Sequence, residues 1–403
     1  MACGYRTLLL LGMGLSFTGC VRAGFSGIPS QADGSTQDAN TQDANTEDAI
    51  PGGAVAVAGG AAHTCALMSG GRVFCWGENA NGQLGNDSTT PEPAPVAVLG
   101  LEDAVQISLG RLHSCALRAT GRVVCWGGNS FGALGDGTGA EAHVPVEVNL
   151  QNVAAVSAGR YHTCAMLSSG GVRCWGLNDD GQLGNDSTEN TRSPVTVALM
   201  DDAKAISAAA VHSCALRATG KVVCWGSNSS GRLGDGSALA HSLVPVEVVG
   251  LSDVSLLAAN RNHTCAVVDG GRVFCWGANP FGQLGDGTII PHTTPVLVTS
   301  LNQTLGLAVR TWDHCVALRV GGEVVAWGRN DYGQLGDGTF EERHSPVVAT
   351  GSLNAVAIGA GHQHSCLITR LGAVYCWGKN GSGQLGDGTI INSPLPLHVA
   401  FQP

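Results

Sequence analysis

The residues of this chain best suited to chemistry are histidines and cysteines in a fixed pattern. His63, Cys65 and Cys75 recur as His113, Cys115, Cys125; His162, Cys164, Cys174; His212, Cys214, Cys224; His263, Cys265, Cys275; and His364, Cys366, Cys376. Imidazole and thiolate both bind zinc, and residues two apart on a strand share a face. A closed zinc site takes four ligands, however. The sixth copy also keeps His314 after Val316 and Ala326 have replaced both cysteines. The alternative is a structural histidine that hydrogen-bonds backbone at a strand start. The cysteines, which vanish as a pair, then act as a pair.

The elements that position them follow from the spacing. Trp76, Trp126, Trp175, Trp225, Trp276, Trp327 and Trp377 are separated by 50, 49, 50, 51, 51 and 50 residues, each 13 after its histidine. A fixed period of this size marks a repeat architecture. Inside each unit, runs such as HTCALM and RVFCW flank a glycine-bearing turn, which is the signature of a β-hairpin. Gly71, Gly121, Gly170, Gly220, Gly271, Gly322 and Gly372 stand one residue past the turn centre, where a three-residue hairpin loop needs a left-handed residue. That register sets Cys65 opposite Cys75, and likewise the other five pairs. Opposed residues lie roughly 4.5 to 5.5 Å apart at Cα, within the disulfide range. Six cross-strand bridges are expected. Cys315, one place out of register, should face the other side of its strand as a free buried thiol.

AVAVAGG, HTCALM, RVFCWG and PAPVAVLG read as four strands, and seven such units without helical segments indicate an all-β, seven-bladed β-propeller over 54–403. The chain starts on a first strand and ends on a fourth, which leaves the manner of ring closure open.

The motifs Gly-x-x-His-[Ser/Thr]-x-Ala-Leu, Gly-x-Val-x-x-Trp-Gly-x-Asn and Gly-Gln-Leu-Gly-Asp-Gly-Thr recur in that order. This set resembles the repeat family named for the regulator of chromosome condensation, over the whole of 54–403. The resemblance implies a seven-bladed propeller. By analogy with the founding member it also implies guanine-nucleotide exchange on a small GTPase. The long inserted wedge that serves that activity has no counterpart among these near-equal repeats.

Ahead of the repeats, residues 1–19 carry Arg6 and an apolar run too short to span a bilayer, which reads as a signal peptide. The run ends in Phe17-Thr18-Gly19-Cys20, which resembles a bacterial lipobox with Cys20 as the lipidated residue. Residues 20–53 include QDANTQDANTEDA and almost no large apolar side chains, so they are expected to form a solvated tether. The expected location is outside the cytoplasm, at the outer membrane or cell surface. Contact with the membrane would be through the lipid alone. Oxidising surroundings suit the paired cysteines.

The chain carries a formal charge of -10, of which 1–19 contribute +1 and 20–53 contribute -4, leaving -7 for the propeller. An acidic surface without Lys/Arg clusters argues against nucleic acid. Asp87, Asp136, Asp186, Asp235, Asp286, Asp337 and Asp387 sit in glycine-rich loops and suggest either calcium or turn-stabilising side-chain contacts. No cofactor is expected, and no nucleophilic triad, paired-carboxylate or phosphate-loop signature stands out.

A scaffold repeats and a site does not, so the informative positions are those that differ between units. The two residues before each histidine are Ala61-Ala62, Arg111-Leu112, Arg160-Tyr161, Ala210-Val211, Arg261-Asn262, Trp312-Asp313 and His362-Gln363. They should ring one exposed face, and Arg, Tyr and Trp are enriched at binding hot spots. Arg111, Arg160, Tyr161, Arg261, Trp312, Asp313 and His362 are therefore the candidate site, in a non-enzymatic scaffold that binds a protein or glycan. A polysaccharide-cleaving enzyme is the third reading, with Asp313 and Glu341-Glu342 as its acids.

Overall fold

The computed structural model describes residues 52–310, 313–351 and 354–401. The signal segment, Cys20, nearly all of the tether and Trp312 lie outside the described residues.

The strands β1 (Ala54–Gly59), β2 (His63–Met68), β3 (Val73–Gly77) and β4 (Glu92–Ala97) form one antiparallel sheet in chain order. Six more sheets repeat it, beginning at Ala104–Leu109, Val153–Ala158, Ala203–Ala208, Val254–Ala259, Thr304–Arg310 and Ala355–Ala360. The chain forms the expected seven-bladed β-propeller. Among the described residues, no blade is shared between the chain ends. Blade 1 meets blade 7 through contacts alone, among them the Ala54 N–H to the Gly372 carbonyl and the His362 N–H to the Gly60 carbonyl, both 3.0 Å.

The hairpin register is the one the spacing requires. Cys65 faces Cys75 and the other five pairs do the same, each bonded as a disulfide with Cα atoms 4.0 to 4.1 Å apart. Gly71 has φ +86°, and its N–H donates to the Met68 carbonyl at 2.9 Å, closing the turn. An L side chain is strained at that φ, which is why glycine recurs there. Blade 6 lacks the bridge, and Val316 packs opposite Ala326 instead.

Each hydrophobic cluster joins two blades, as where Leu67, Val73 and Leu84 of blade 1 meet Ile107, Val124 and Trp126 of blade 2. The seven Trp side chains of the Trp-Gly pairs are buried. The outermost strand of every blade contains proline, for example Pro95, Pro145 and Pro194, beside an irregularity in its pairing. Proline removes a donor from an edge that would otherwise pair with another chain.

The Trp-Gly dipeptide sets where the variable loops lie. Gly77 has φ +102°, and a Cβ there would come within 2.4 Å of the Ala62 carbonyl oxygen. Only glycine lets the loop between the first two strands cross the end of the third. The Glu78 N–H then bonds the Ala62 carbonyl at 2.8 Å, and the Arg329 N–H bonds that of Asp313 at 2.9 Å.

Candidate binding face

Beneath the loops lies a buried ring of hydrogen bonds. His63 Nε2 meets the Ser114 hydroxyl of the next blade, His113 meets Thr163, His162 meets Ser213, His212 meets Thr264, His314 meets Ser365, and His364 meets Thr64, all at 2.8 to 3.1 Å. Each hydroxyl also donates to a loop carbonyl, such as Ser114 to Gln83 and Ser213 to Gln182, both 2.9 Å. The same carbonyls accept the Trp126 and Trp225 indole N–H at 2.9 Å. A hydroxyl has one proton, so these histidines must donate from Nε2. Burial holds His162, His263 and His364 down to about 3 and His212 well below its usual range.

The repeat histidines thus bond the side chain of the next blade rather than local backbone. The cysteine sulfurs are consumed in bridges. At the junction of blades 5 and 6 the hydroxyl is replaced by Cys315, buried and free as expected, with its sulfur 3.0 Å from His263 Nε2 and 3.4 Å from the Gln283 carbonyl. Burial raises its thiol pKa well above the ordinary range, with Asp313 adding to the shift.

The aspartates do stabilise turns, but not at every expected position. Asp136, Asp286, Asp337 and Asp387 accept from the N–H of Thr138, Thr288, Thr339 and Thr389 at 2.9 to 3.1 Å. In blades 1 and 3 the equivalent place belongs to Asn86 and Asn185, while Asp87 and Asp186 take a neighbouring left-handed position with φ 59°. The organiser of each loop is the asparagine after Trp-Gly. Asn79 accepts from the Leu84 N–H at 2.9 Å and donates to Asn86, Ser88 and Thr90.

On this platform the variable residues surround the channel mouth. The Arg111 N–H donates to the Arg160 carbonyl at 3.2 Å, and the Arg160 N–H to that of Ala209 at 2.9 Å. Arg111 Nη1 donates to the Tyr161 hydroxyl at 2.5 Å, and the Arg111 and Arg160 guanidinium carbons lie 5.5 and 5.1 Å from the Tyr161 ring centre. Arg111, Arg160, Tyr161 and His362 are half-buried and Arg261 is exposed.

Asp313 departs from the exposure expected of this ring. It is buried, at 6% exposed, and accepts from Asn262 Nδ2 at 3.1 Å and Gln283 Nε2 at 3.2 Å. Burial raises its pKa, and the two amide donors and the Arg261 and Arg329 charges oppose the shift. Its carboxylate holds two blades together and offers little to a ligand. Glu341 and Glu342 are exposed in a different loop, where the Glu341 carbonyl accepts from Asn330.

A second set of variable residues shares this face and escaped the sequence reading. The residue before Gly-x-Leu-Gly is Phe131, Phe281 or Tyr332 in three blades, whereas it is polar in the others. Phe131 packs on Tyr161 at 5.2 Å, Arg329 lies over Phe281 at 4.6 Å, and Lys379 over Tyr332 at 4.9 Å. Their variation against an otherwise uniform motif was the available signal.

This fold and face define a propeller of the seven-repeat scaffold class. The model of the RCC1-like domain matches residues 1–311 and 102–402, and the chain belongs to that family. The probable E3 ubiquitin-protein ligase HERC4 of Homo sapiens is 34% identical over 135 residues, which are 32% of this chain and 13% of the ligase. The ultraviolet-B receptor UVR8 of Arabidopsis thaliana is 32% identical over 130 residues, 31% of this chain and 29% of the receptor. The chain therefore matches only a fraction of the length of these relatives. Among solved structures, human WBSCR16 superposes with a TM-score of 0.73 at 23% identity, covering 82% of this chain and 94% of that one. Yeast RCC1 (Prp20), solved bound to Kap60, gives 0.73 at 19% identity, covering 93% and 91%. These two likenesses establish the fold.

Proposed function

We propose that the propeller is a non-enzymatic scaffold that presents the loop face of Arg111, Arg160, Tyr161, Arg261, Trp312 and His362 to a protein partner. The observation that carries this reading is where the sevenfold regularity breaks. Core, hairpins and relay repeat in nearly every blade, whereas cations and aromatic rings appear at this face in some blades only. Arg, Tyr and Trp are the residues enriched where interfaces concentrate their binding energy. The further reading is that the chain is exported, anchored through lipid on Cys20 and held off the membrane by the acidic tether.

Two experiments test these readings. In the first, partners crosslinked to the native protein are compared with those of an Arg160→Ala, Trp312→Ala variant. Selective loss of a partner from a folded variant is expected, and an unchanged set would move the site elsewhere. In the second, the intact mass is measured from the native membrane fraction. A chain that starts at an acylated Cys20, adds one alkyl group on unfolding and gains twelve more after reduction is expected. A soluble, uncleaved chain with thirteen or more free thiols would overturn export and anchoring.

A further inference from the structure

The cations of the loop face are unevenly distributed. Arg111, Arg160 and Arg261 come from blades 2, 3 and 5, and among the described residues none of them forms an ion pair. On the same face Arg329 pairs with Asp331, and elsewhere Arg118, Arg217, Arg319 and Arg343 each pair with a carboxylate. Beneath Arg261 a fourth guanidinium, Arg232, is buried at 7% exposed, and its Nη1 donates to the Arg261 carbonyl at 2.9 Å. Burial lowers the Arg232 pKa to about 10, with Arg261 pushing the same way and Asp180 and Asp313 opposing. Desolvation, followed by the Arg111 charge and more weakly that of Arg261, also lowers Arg160 from its ordinary value. A protein with a net charge of -10 thus collects guanidinium groups at one mouth, where the charges of Asp180 and buried Asp313 offset them only in part.

Guanidinium groups bind carboxylates through paired, charge-assisted hydrogen bonds. A sugar ring or a nucleic-acid base would instead need an open aromatic face. The Tyr161 ring is already contacted by both guanidinium groups and by Phe131. Carboxylates fit this arrangement when carried on a chain long enough to reach from the Arg111–Arg160 pair to Arg261 two blades away.

We infer that Arg111, Arg160 and Arg261 form a carboxylate-binding site for an acidic segment of the partner protein, carrying more than one Asp or Glu. The inference rests on the reading of this face as the binding face and specifies what it binds. Tyr161 acts as a positioning residue, since its hydroxyl and ring hold Arg111 and Arg160 in place.

The test is an anisotropy titration of the folded, oxidised protein with fluorescein-labelled hexaglutamate, with labelled hexalysine and sodium alginate as comparison probes. Hexaglutamate is expected to bind, to weaken at least tenfold in Arg160→Gln, and to weaken further as salt is raised. Binding should be unchanged in Arg72→Gln, an exposed cation at the hairpin end. Equal binding to wild type and Arg160→Gln, or no preference over hexalysine, overturns the inference. Alginate that binds through Arg160 where hexaglutamate does not also overturns it, in favour of an acidic glycan. If hexaglutamate fails while Arg160→Ala, Trp312→Ala still loses a crosslinked partner, the carboxylate site falls and the binding face stands. If neither changes, both fall.

Discussion

The buried histidine ring and the loop face above it are built by the same seven repeats, yet they obey opposite rules. In the ring, six of the seven junctions pair a histidine with a hydroxyl, and the seventh substitutes a thiol of similar size. Across the face, equivalent positions range from Ala61 through Arg160 and Trp312 to His362. The difference lies in what each position touches. A buried donor without an acceptor costs roughly 1 to 3 kcal/mol, so the ring tolerates only groups that complete the relay. A loop residue that faces solvent or a partner has no such constraint, and blades can diverge there without loss of stability.

Acid should expose this contrast most strongly. Among the buried histidines, His162, His263 and His364 are lowered to about 3 and lie near 6.5 when unfolded. A depressed folded-state value means that their stability contribution is present above about pH 6.5 and is lost as pH falls toward 3. Each costs roughly 1.4 kcal/mol per pH unit in that window, and the contributions add. Urea midpoints should fall steeply between pH 6.5 and 4. A flat profile would mean that the ring is not neutral and buried.

Next in size is the indole that shares each relay carbonyl. Trp225→Ala should cost about 3 to 5 kcal/mol in denaturant unfolding, a range set by large core truncations. Arg160→Gln on the face should shift stability by less than about 0.5 kcal/mol. Comparable losses at the two sites would erase the distinction between scaffold and face.

Blade 6 sharpens the comparison within the scaffold. A bridge closing a loop of about ten residues is worth roughly 2.5 to 3 kcal/mol at most, since a hairpin already orders the unfolded chain in part. Hydrogen exchange in mild denaturant should find the Val316–Ala326 hairpin opening ahead of the bridged ones. Cys214→Ala, Cys224→Ala should then bring blade 4 to the same level. Uniform protection in wild type would show that interblade packing dominates over the bridges.

Within the buried scaffold the smallest effect is expected at Cys315→Ser, which restores the hydroxyl found at the other junctions. The change in stability should stay within about 1 kcal/mol, because the donor and acceptor roles are preserved. A larger loss would show that the His263 site is shaped for sulfur.

Much of the scaffold was legible in the chain. The Trp period, the hairpin glycines and the loss of two cysteines together in one repeat led to the blade number, the register and the six bridges. These features depend on residues ten to fifty apart in one repeating frame. The role of the histidines was not legible, because His63 completes its bond with Ser114, which belongs to the next blade. Nor was the burial of Asp313, which follows from Asn262 of the preceding blade reaching across to its carboxylate. Asp87 was mistaken for the loop residue because Asn-Asp and Asp-Gly look interchangeable until Asn79 selects Asn86 as its partner.

By itself the sequence determined the repeat, the strands within it and the pairing of cysteines, since local hydrogen bonding and side-chain alternation settle these within a single unit. The tertiary structure decided which variable residues share the channel mouth. Closing seven blades into a ring brings Arg111, Arg160, Tyr161 and Phe131 together and turns Asp313 inward, and those neighbours come from separate blades whose relative placement no local pattern encodes.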